Sequence, residues 1–143
     1  MELQAFKPSV AQTNLTPWVD LVSLGGAVDP EGLVERMMSA RLLVGVLRGA
    51  QLVGCCALKT PTESYREKLG DVPEVEFGWL VVRPEHRHRG LARMMRQTVL
   101  GSLYLGPAFA TRRASVQDEF SLGFRKVREF DGRTERLALL VRP

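Results

Sequence analysis

The sequence has little of what marks a specialised protein class. Its 143 residues include only two cysteines, two histidines and 7% aromatic side chains. The cysteines are adjacent, Cys55-Cys56, inside an apolar run. Neighbours in a strand point to opposite faces, which disfavours a structural disulfide between them. Two cysteines make no zinc site by themselves, so both read as small buried side chains. His86 and His88 stand in a basic segment without a carboxylate set at ligand spacing, and no metal is expected. No apolar run approaches the ~20 residues that span a bilayer. Met1-Glu2-Leu3-Gln4 lacks the basic and apolar regions of a signal peptide. A cytoplasmic protein is therefore expected, and neither an internal repeat nor a low-complexity tract is found.

What is present is a foldable composition, 45% hydrophobic and 25% charged. The length suits one domain over residues 1–143. The 20 Lys and Arg exceed the 16 Asp and Glu, a net charge of +4. A modest excess of this kind fits an anionic ligand and does not by itself establish nucleic-acid binding.

Periodicity divides the chain. Residues 3–7 suit an edge strand, and residues 16–24 a short helix with Trp18, Leu21 and Val22 inward. Asp29-Pro30-Glu31 has the form of a helix start, followed by Leu33, Val34, Met37 and Met38 at helical spacing. Runs 44–47 and 52–58 flank a hairpin turn at Arg48-Gly49-Ala50-Gln51. Residues 60–73 read as a long polar connection, of a length that suggests function. Val75 to Val82 is the clearest strand. Strict alternation there puts Glu76, Gly78, Leu80 and Val82 on one face. After Pro84 the period lengthens: Leu91, Met95, Val99 and Leu103 form a helical stripe. A strand at 108–111, a short helix at 116–122 capped by Gly123, and a hairpin of 124–130 with 134–141 complete the pattern. The sum is a mixed α/β sheet, largely antiparallel before the central helix.

The chemically informative stretch is Val81 to Arg93, where a buried strand enters a tight basic loop and then a helix. The first turn of a helix has unpaired N–H groups and partial positive charge, which together make an anion site. Gly90 allows close backbone approach, Ala92 keeps the next position small, and Arg87, His88 and Arg89 surround the turn with donors.

Arg87-His88-Arg89-Gly90-Leu91-Ala92 resembles the acetyl-CoA loop of the GCN5-related N-acetyltransferase (GNAT) family, Arg/Gln-x-x-Gly-x-Gly/Ala. Leu80 to Glu85 looks like the strand that precedes it, and Gly123-Phe124 like the Gly-Phe after the family's last helix. The likeness covers about residues 40–141. It implies a sheet of six to seven strands with about four helices, in which the fourth and fifth strands splay. It implies that the backbone from His88 to Ala92 binds the CoA pyrophosphate, with Arg87, Arg89 and Arg93 beside it. Leu80, Val81 and Val82 would pair with the pantetheine arm and the acetyl carbonyl. The resemblance implies an acyltransferase in which an amine attacks the thioester directly.

Glu76 lies on the strand where several members place a general base, and apolar neighbours would raise its pKa toward a useful range. It could equally pair with an arginine or hold a water. The family's tyrosine, four residues before the Gly-Phe, is here Glu119. Tyr65 and Tyr104 fall outside the expected site, and Ser115 and Ser121 lie where a cofactor could pass. The acceptor is expected to be a small-molecule or protein amine, and a homodimer is open. A catalytically silent acetyl-CoA-binding module is the main alternative. Acetylation of aminoacyl-tRNA, or nucleic-acid binding through residues 83–96, is weaker because no aromatic platform for bases is evident.

Overall fold

A computed structural model describes residues 1–9, 14–25, 28–116 and 120–143. One seven-stranded sheet organises the chain, in the order β1-β2-β3-β4-β5-β7-β6. The strands are β1 (Glu2–Phe6), β2 (Leu42–Arg48), β3 (Gln51–Lys59), β4 (Glu76–Val82), β5 (Ala108–Arg113), β6 (Arg125–Asp131) and β7 (Arg136–Arg142). The helices are α1 (Thr16–Leu24), α2 (Leu33–Met38), α3 (Glu63–Leu69) and α4 (Leu91–Thr98). Neighbouring strands are antiparallel except β4 and β5, which are parallel. A parallel pair needs a crossover, and α4 with the following π-helical turn at Val99–Leu103 supplies it.

Both faces of the sheet are covered, which is why its central strands are apolar on both sides. Leu21 of α1 and Leu33 and Met37 of α2 pack on Leu43, Leu52 and Ala57. On the other face Met95, Val99 and Leu100 pack on Val44, Val53, Cys56 and Leu140. Burying each such side chain contributes about 1.5–3 kcal/mol. Gly45 admits α1: a Cβ there would stand 2.6 Å from Leu52 and 2.8 Å from the Trp18 ring. The Trp18 indole N–H donates to the Val44 carbonyl at 3.3 Å, which fixes the helix on the sheet.

Several sequence expectations need correction. The polar connection at 60–73 contains α3, whose Thr62 hydroxyl accepts from the Tyr65 N–H at 3.2 Å. Its Leu69 packs on Phe109 and Leu139, on the face that α4 leaves bare. Asp29 does not start α2. It accepts from the Glu31 N–H within a turn, and Gly32 at φ +71° delays the helix to Leu33. The helix expected at 91–103 widens into the π turn after Thr98. Of the helix expected at 116–122, residues 117–119 lie outside the described residues. Its other members are not helical, and Ser121 and Leu122 have φ of +49° and +55°.

The π turn is held by Arg142, the last residue of β7. Its guanidinium donates to Leu100 O at 2.6 Å, Leu122 O at 3.2 Å, Tyr104 O at 2.8 Å and Gly106 O at 3.1 Å. It also lies 5.2 Å from the Phe124 ring centroid. A widened turn throws carbonyls out of the helical ladder, and one planar fork of five donors takes up Leu100 O of the turn with three carbonyls from beyond it. Arg142→Ala is expected to cost about 3 kcal/mol, because it leaves those acceptors without their charged donor. Arg142→Lys should recover less than half, since an ammonium cannot reach acceptors in four directions. Urea unfolding followed by circular dichroism measures both; a loss below ~1 kcal/mol would mean that water replaces the guanidinium.

Candidate active site

The sheet opens at its centre. β4 and β5 share one registered pair, Glu76 with Phe109, and the Phe109 N–H donates to Val75 O at 2.9 Å. Beyond that point, among the described residues, no strand pairs with the β5-facing edge of β4. The gap widens into a cleft of about 1400 Å³. That exceeds the ~300–1000 Å³ of a common small-ligand pocket, so it has room for two reactants.

Alternation along β4 breaks inside this cleft. Gly78 pairs with Ala57 and Val81 with Cys55, so Trp79 and Leu80 both stand opposite Cys56. Trp79 takes φ +52° to make this bulge. Val75, Phe77 and Val82 consequently pack with α4, whereas Trp79 and Val81 pack with α1 and α2. Glu76 therefore shares its face with Gly78, Trp79 and Val81, not with Leu80 and Val82 as strict alternation predicts. Leu80, Val81 and Val82, after the bulge, line the opening.

The loop after β4 is pinned at both ends. Arg83 donates from its backbone N–H to Val53 O at 2.9 Å and from Nε to Leu52 O at 2.8 Å. Arg87 Nε reaches back to Val82 O at 3.0 Å. Between them Pro84–His86 forms a single 3₁₀ turn. His88 and Gly90 then adopt left-handed φ of +63° and +77°. Gly90 caps α4 with no side-chain acceptor, and a Cβ added there would meet nothing within 4 Å. Consecutive N–H groups around such left-handed residues form a concave cradle for an anion. His86 is 5% exposed and lines the cleft, and its Nδ1 has no hydrogen-bond partner among the described residues. An open cradle, a bare helix terminus and an unmatched buried nitrogen fit a phosphorylated ligand. His88, Gly90, Leu91, Ala92 and Arg93 line the cleft together with Arg87, whereas Arg89 is not part of its lining.

On the other face the cleft ends at Glu76, which is 3% exposed. Lys59 Nζ lies 3.2 Å from its Oε1, a close ion pair without the alignment of a hydrogen bond. The same ammonium stands 4.7 Å from the centroid of the Trp79 ring. Burial raises the Glu76 carboxyl above its usual value of 4.5, and the Lys59 charge offsets part of that rise. Tyr65 of α3 also lines the cleft, and burial followed by the Glu76 charge pushes its hydroxyl up to about 12.

The structure thus brings Glu76, the Leu80–Val82 strand and the 87–93 loop around one opening. It also brings Tyr65 and Lys59 there, which sequence reasoning missed. The cap Thr62 with Glu63 in the first turn, and Tyr65 and Leu69 four apart, could have shown the helix that carries Tyr65. Glu119 lies outside the described residues. Ser121 lines the cleft, as do Arg96, Arg112 and Phe120.

The Acetyltransferase (GNAT) family matches residues 18–105, more than half of the chain, and the protein belongs to that family. Solved structures agree in fold. Escherichia coli ElaA is 14% identical with a TM-score of 0.76, the match covering 99% of each chain. An acyl-CoA N-acyltransferase from Pseudomonas aeruginosa is 17% identical with a TM-score of 0.77, also over 99% of each. An aminoglycoside 6'-N-acetyltransferase complexed with coenzyme A is 15% identical with a TM-score of 0.65, over 99% of this chain and 96% of that one. No curated protein matches the sequence. Among the described residues no helix is long and apolar enough to cross a membrane, and no group of three or more His, Cys, Asp or Glu is placed to hold a metal.

The buried carboxyl has a stability consequence. Glu76 has a folded-state pKa above its unfolded value, so the folded protein binds more protons between the two. Its stabilising contribution is complete below about 4.5 and is lost as pH rises through the raised pKa. Glu76→Gln cannot ionise. Its melting temperature relative to wild type should therefore climb as pH rises from about 4 toward 8. Parallel melting curves across that range would mean that Lys59 fully offsets the burial.

Proposed function

We propose that the protein transfers the acetyl group of acetyl-CoA to an amine, by direct attack within a ternary complex. One observation supports this most: the gap between β4 and β5 joins a glycine-bearing helix terminus on one face to a buried carboxylate on the other. In this reading the N–H groups from His88 to Ala92 hold the pyrophosphate. Arg87 and Arg93 add charge, and Arg87 also ties the loop to Val82. Arg89, outside the cleft, has only a long-range electrostatic role. The backbone of Leu80, Val81 and Val82 lies along the pantetheine arm. Acetyl-CoA supplies an activated thioester, and the chain supplies position, dryness and a proton acceptor.

Glu76 is that acceptor. An amine is a cation near neutral pH, since an unperturbed lysine titrates near ~10.4, and attack needs its free base. Burial raises the carboxyl toward the working pH, while Lys59 keeps the ionised form accessible. Tyr65, protonated at neutral pH, presents a hydroxyl on the same side. A covalent route through cysteine has no support: burial pushes Cys55 up to about 12 and Cys56 higher still, which removes the thiolate nucleophile. The acceptor would enter between α1 and α3, where Trp79 and Tyr65 give aromatic walls and Glu76 a negative floor. That chemistry suits a small amine or a protein amine better than a nucleic acid.

Acetyl-CoA should raise the melting temperature, by the equivalent of about 2.7 kcal/mol at a hundred times its dissociation constant. Gly90→Glu should weaken binding at least ~10-fold, with Gly90→Ala separating backbone strain from charge. No thermal shift at millimolar acetyl-CoA would sink the proposal.

Glu76→Gln should leave acetyl-CoA binding nearly intact and lower kcat at least ~30-fold, somewhat below the ~10²–10⁴-fold of a positioned base because a water chain could partly substitute. The acidic limb of the pH–rate profile should flatten with it. An unchanged kcat, measured with a good acceptor found by mass spectrometry, would make Glu76 structural. Binding without CoA release for any amine would indicate the silent module instead.

A further inference from the structure

Lysine is scarce in this chain. Only Lys7, Lys59, Lys68 and Lys126 occur among 20 Lys and Arg residues. One of the four stands inside the cleft, beside its buried carboxylate. A partner needed only for charge would be met as well by arginine, whose fork matches a carboxylate and whose charge is permanent. A lysine carries something that arginine does not, an amine that can be acylated.

The placement of Lys59 is specific. Its side chain lies along Gly78, where an added Cβ would meet Cδ at 3.0 Å and Nζ at 3.5 Å. The ammonium then ends over the ring of Trp79, the residue before Leu80, whose backbone is proposed to hold the acetyl carbonyl. It contacts the Glu76 carboxylate, and the side chain is 24% exposed, so it is reachable yet largely shielded from bulk water. An amine and a proton acceptor thus meet on one face of β4, on the strand proposed to carry the thioester. The other lysines are exposed and lie outside the cleft.

We propose that Lys59 is a self-acetylation site, taking the acetyl group from acetyl-CoA bound to the same molecule when no other acceptor is present. This rests on the function proposed above. Nζ gives a proton to Glu76, and its freed lone pair forms an N–C bond to the acetyl carbonyl. The C–S bond breaks and its electron pair leaves on the CoA sulfur. Of the two protons lost from nitrogen, one ends on that sulfur and the other passes through Glu76 to solvent. The products are Nε-acetyl-Lys59 and free CoA, with no oxidant or reductant. Acetylation removes the cation from both Glu76 and Trp79, leaving the floor of the acceptor side without its internal counter-charge.

The full chain is incubated with acetyl-CoA alone, and acetylation is followed by intact mass and peptide mapping. One acetyl group should appear at Lys59 at a rate independent of protein concentration. It should form at least ~10-fold faster than on Lys7, Lys68 or Lys126, because a held amine reacts as an intramolecular partner. Glu76→Gln should slow it at least ~10-fold, and urea-unfolded protein should lose the selectivity. Lys59→Arg should abolish the product while acetyl-CoA still raises the melting temperature. Similar labelling of all four lysines in the folded chain would overturn the inference in favour of unassisted chemical acetylation. An unmodified Lys59 in protein that acetyl-CoA stabilises would overturn it too, leaving a structural ion pair. If acetyl-CoA gives no thermal shift, the proposed function fails and this inference with it.

Discussion

The architecture depends on a sheet that must open in its middle without coming apart. Beyond the Glu76–Phe109 pair, β4 and β5 are held together by what lies above and below them rather than by each other. On one face Met95 of α4 packs with Val82 of β4 and Ala108 and Ala110 of β5, and a Cβ added at Gly54 of β3 would stand 3.0 Å from it. The β5–β7–β6 half is secured at the base of the crossover by Arg142. Backbone groups of β4 that a continuous sheet would pair internally are left to face the cleft. An unpaired buried edge is costly unless something else satisfies it. A fold with such an edge is thus predisposed to bind an extended, amide-bearing chain.

The electrostatics follow the same division. On the α4 face, helix terminus, left-handed turn and arginines all favour negative charge. On the α1/α3 face a buried carboxylate and two aromatic rings favour a cation, and the Lys59 ammonium stands against the carboxylate and the Trp79 ring. The two halves meet at the bulge of Trp79 and Leu80. In the proposed function, segregating the fields across one strand would keep the anionic and cationic partners apart until they meet at a single point. Lys59 offsets part of the cost of burying Glu76, whose carboxyl nonetheless stays above its usual value.

The sequence exposed the parts of this design that repeat or that have few chemical substitutes. The apolar strands β2, β3 and β4 and the stripe of α4 showed through their periods. The loop from Arg87 to Ala92 showed because a tight turn against an anion demands small residues at fixed positions. Glu76 showed as a lone carboxylate in an apolar strand, but its face did not, since a bulge leaves no compositional mark. α3 stayed hidden because its seven residues bury only Leu69, too little for a helical period. Arg142 read as an ordinary charge at a strand end, because its four acceptors come from carbonyls, which every residue has.

The bulge has a bearing on how such a chain can change over generations. Because Trp79 and Leu80 share one opposing residue, β4 is one residue longer than a regular ladder would need. Substitutions along the strand can be absorbed one at a time. A one-residue deletion at Gly78, with the two-against-one bulge kept, would rotate everything before it by half a turn. Glu76 would then face the α4 core, and Phe77 the acceptor side. Lineages carrying this fold should therefore vary in length at their hairpins and N-terminal helices while the residue count of β4 between Glu76 and Val82 stays constant.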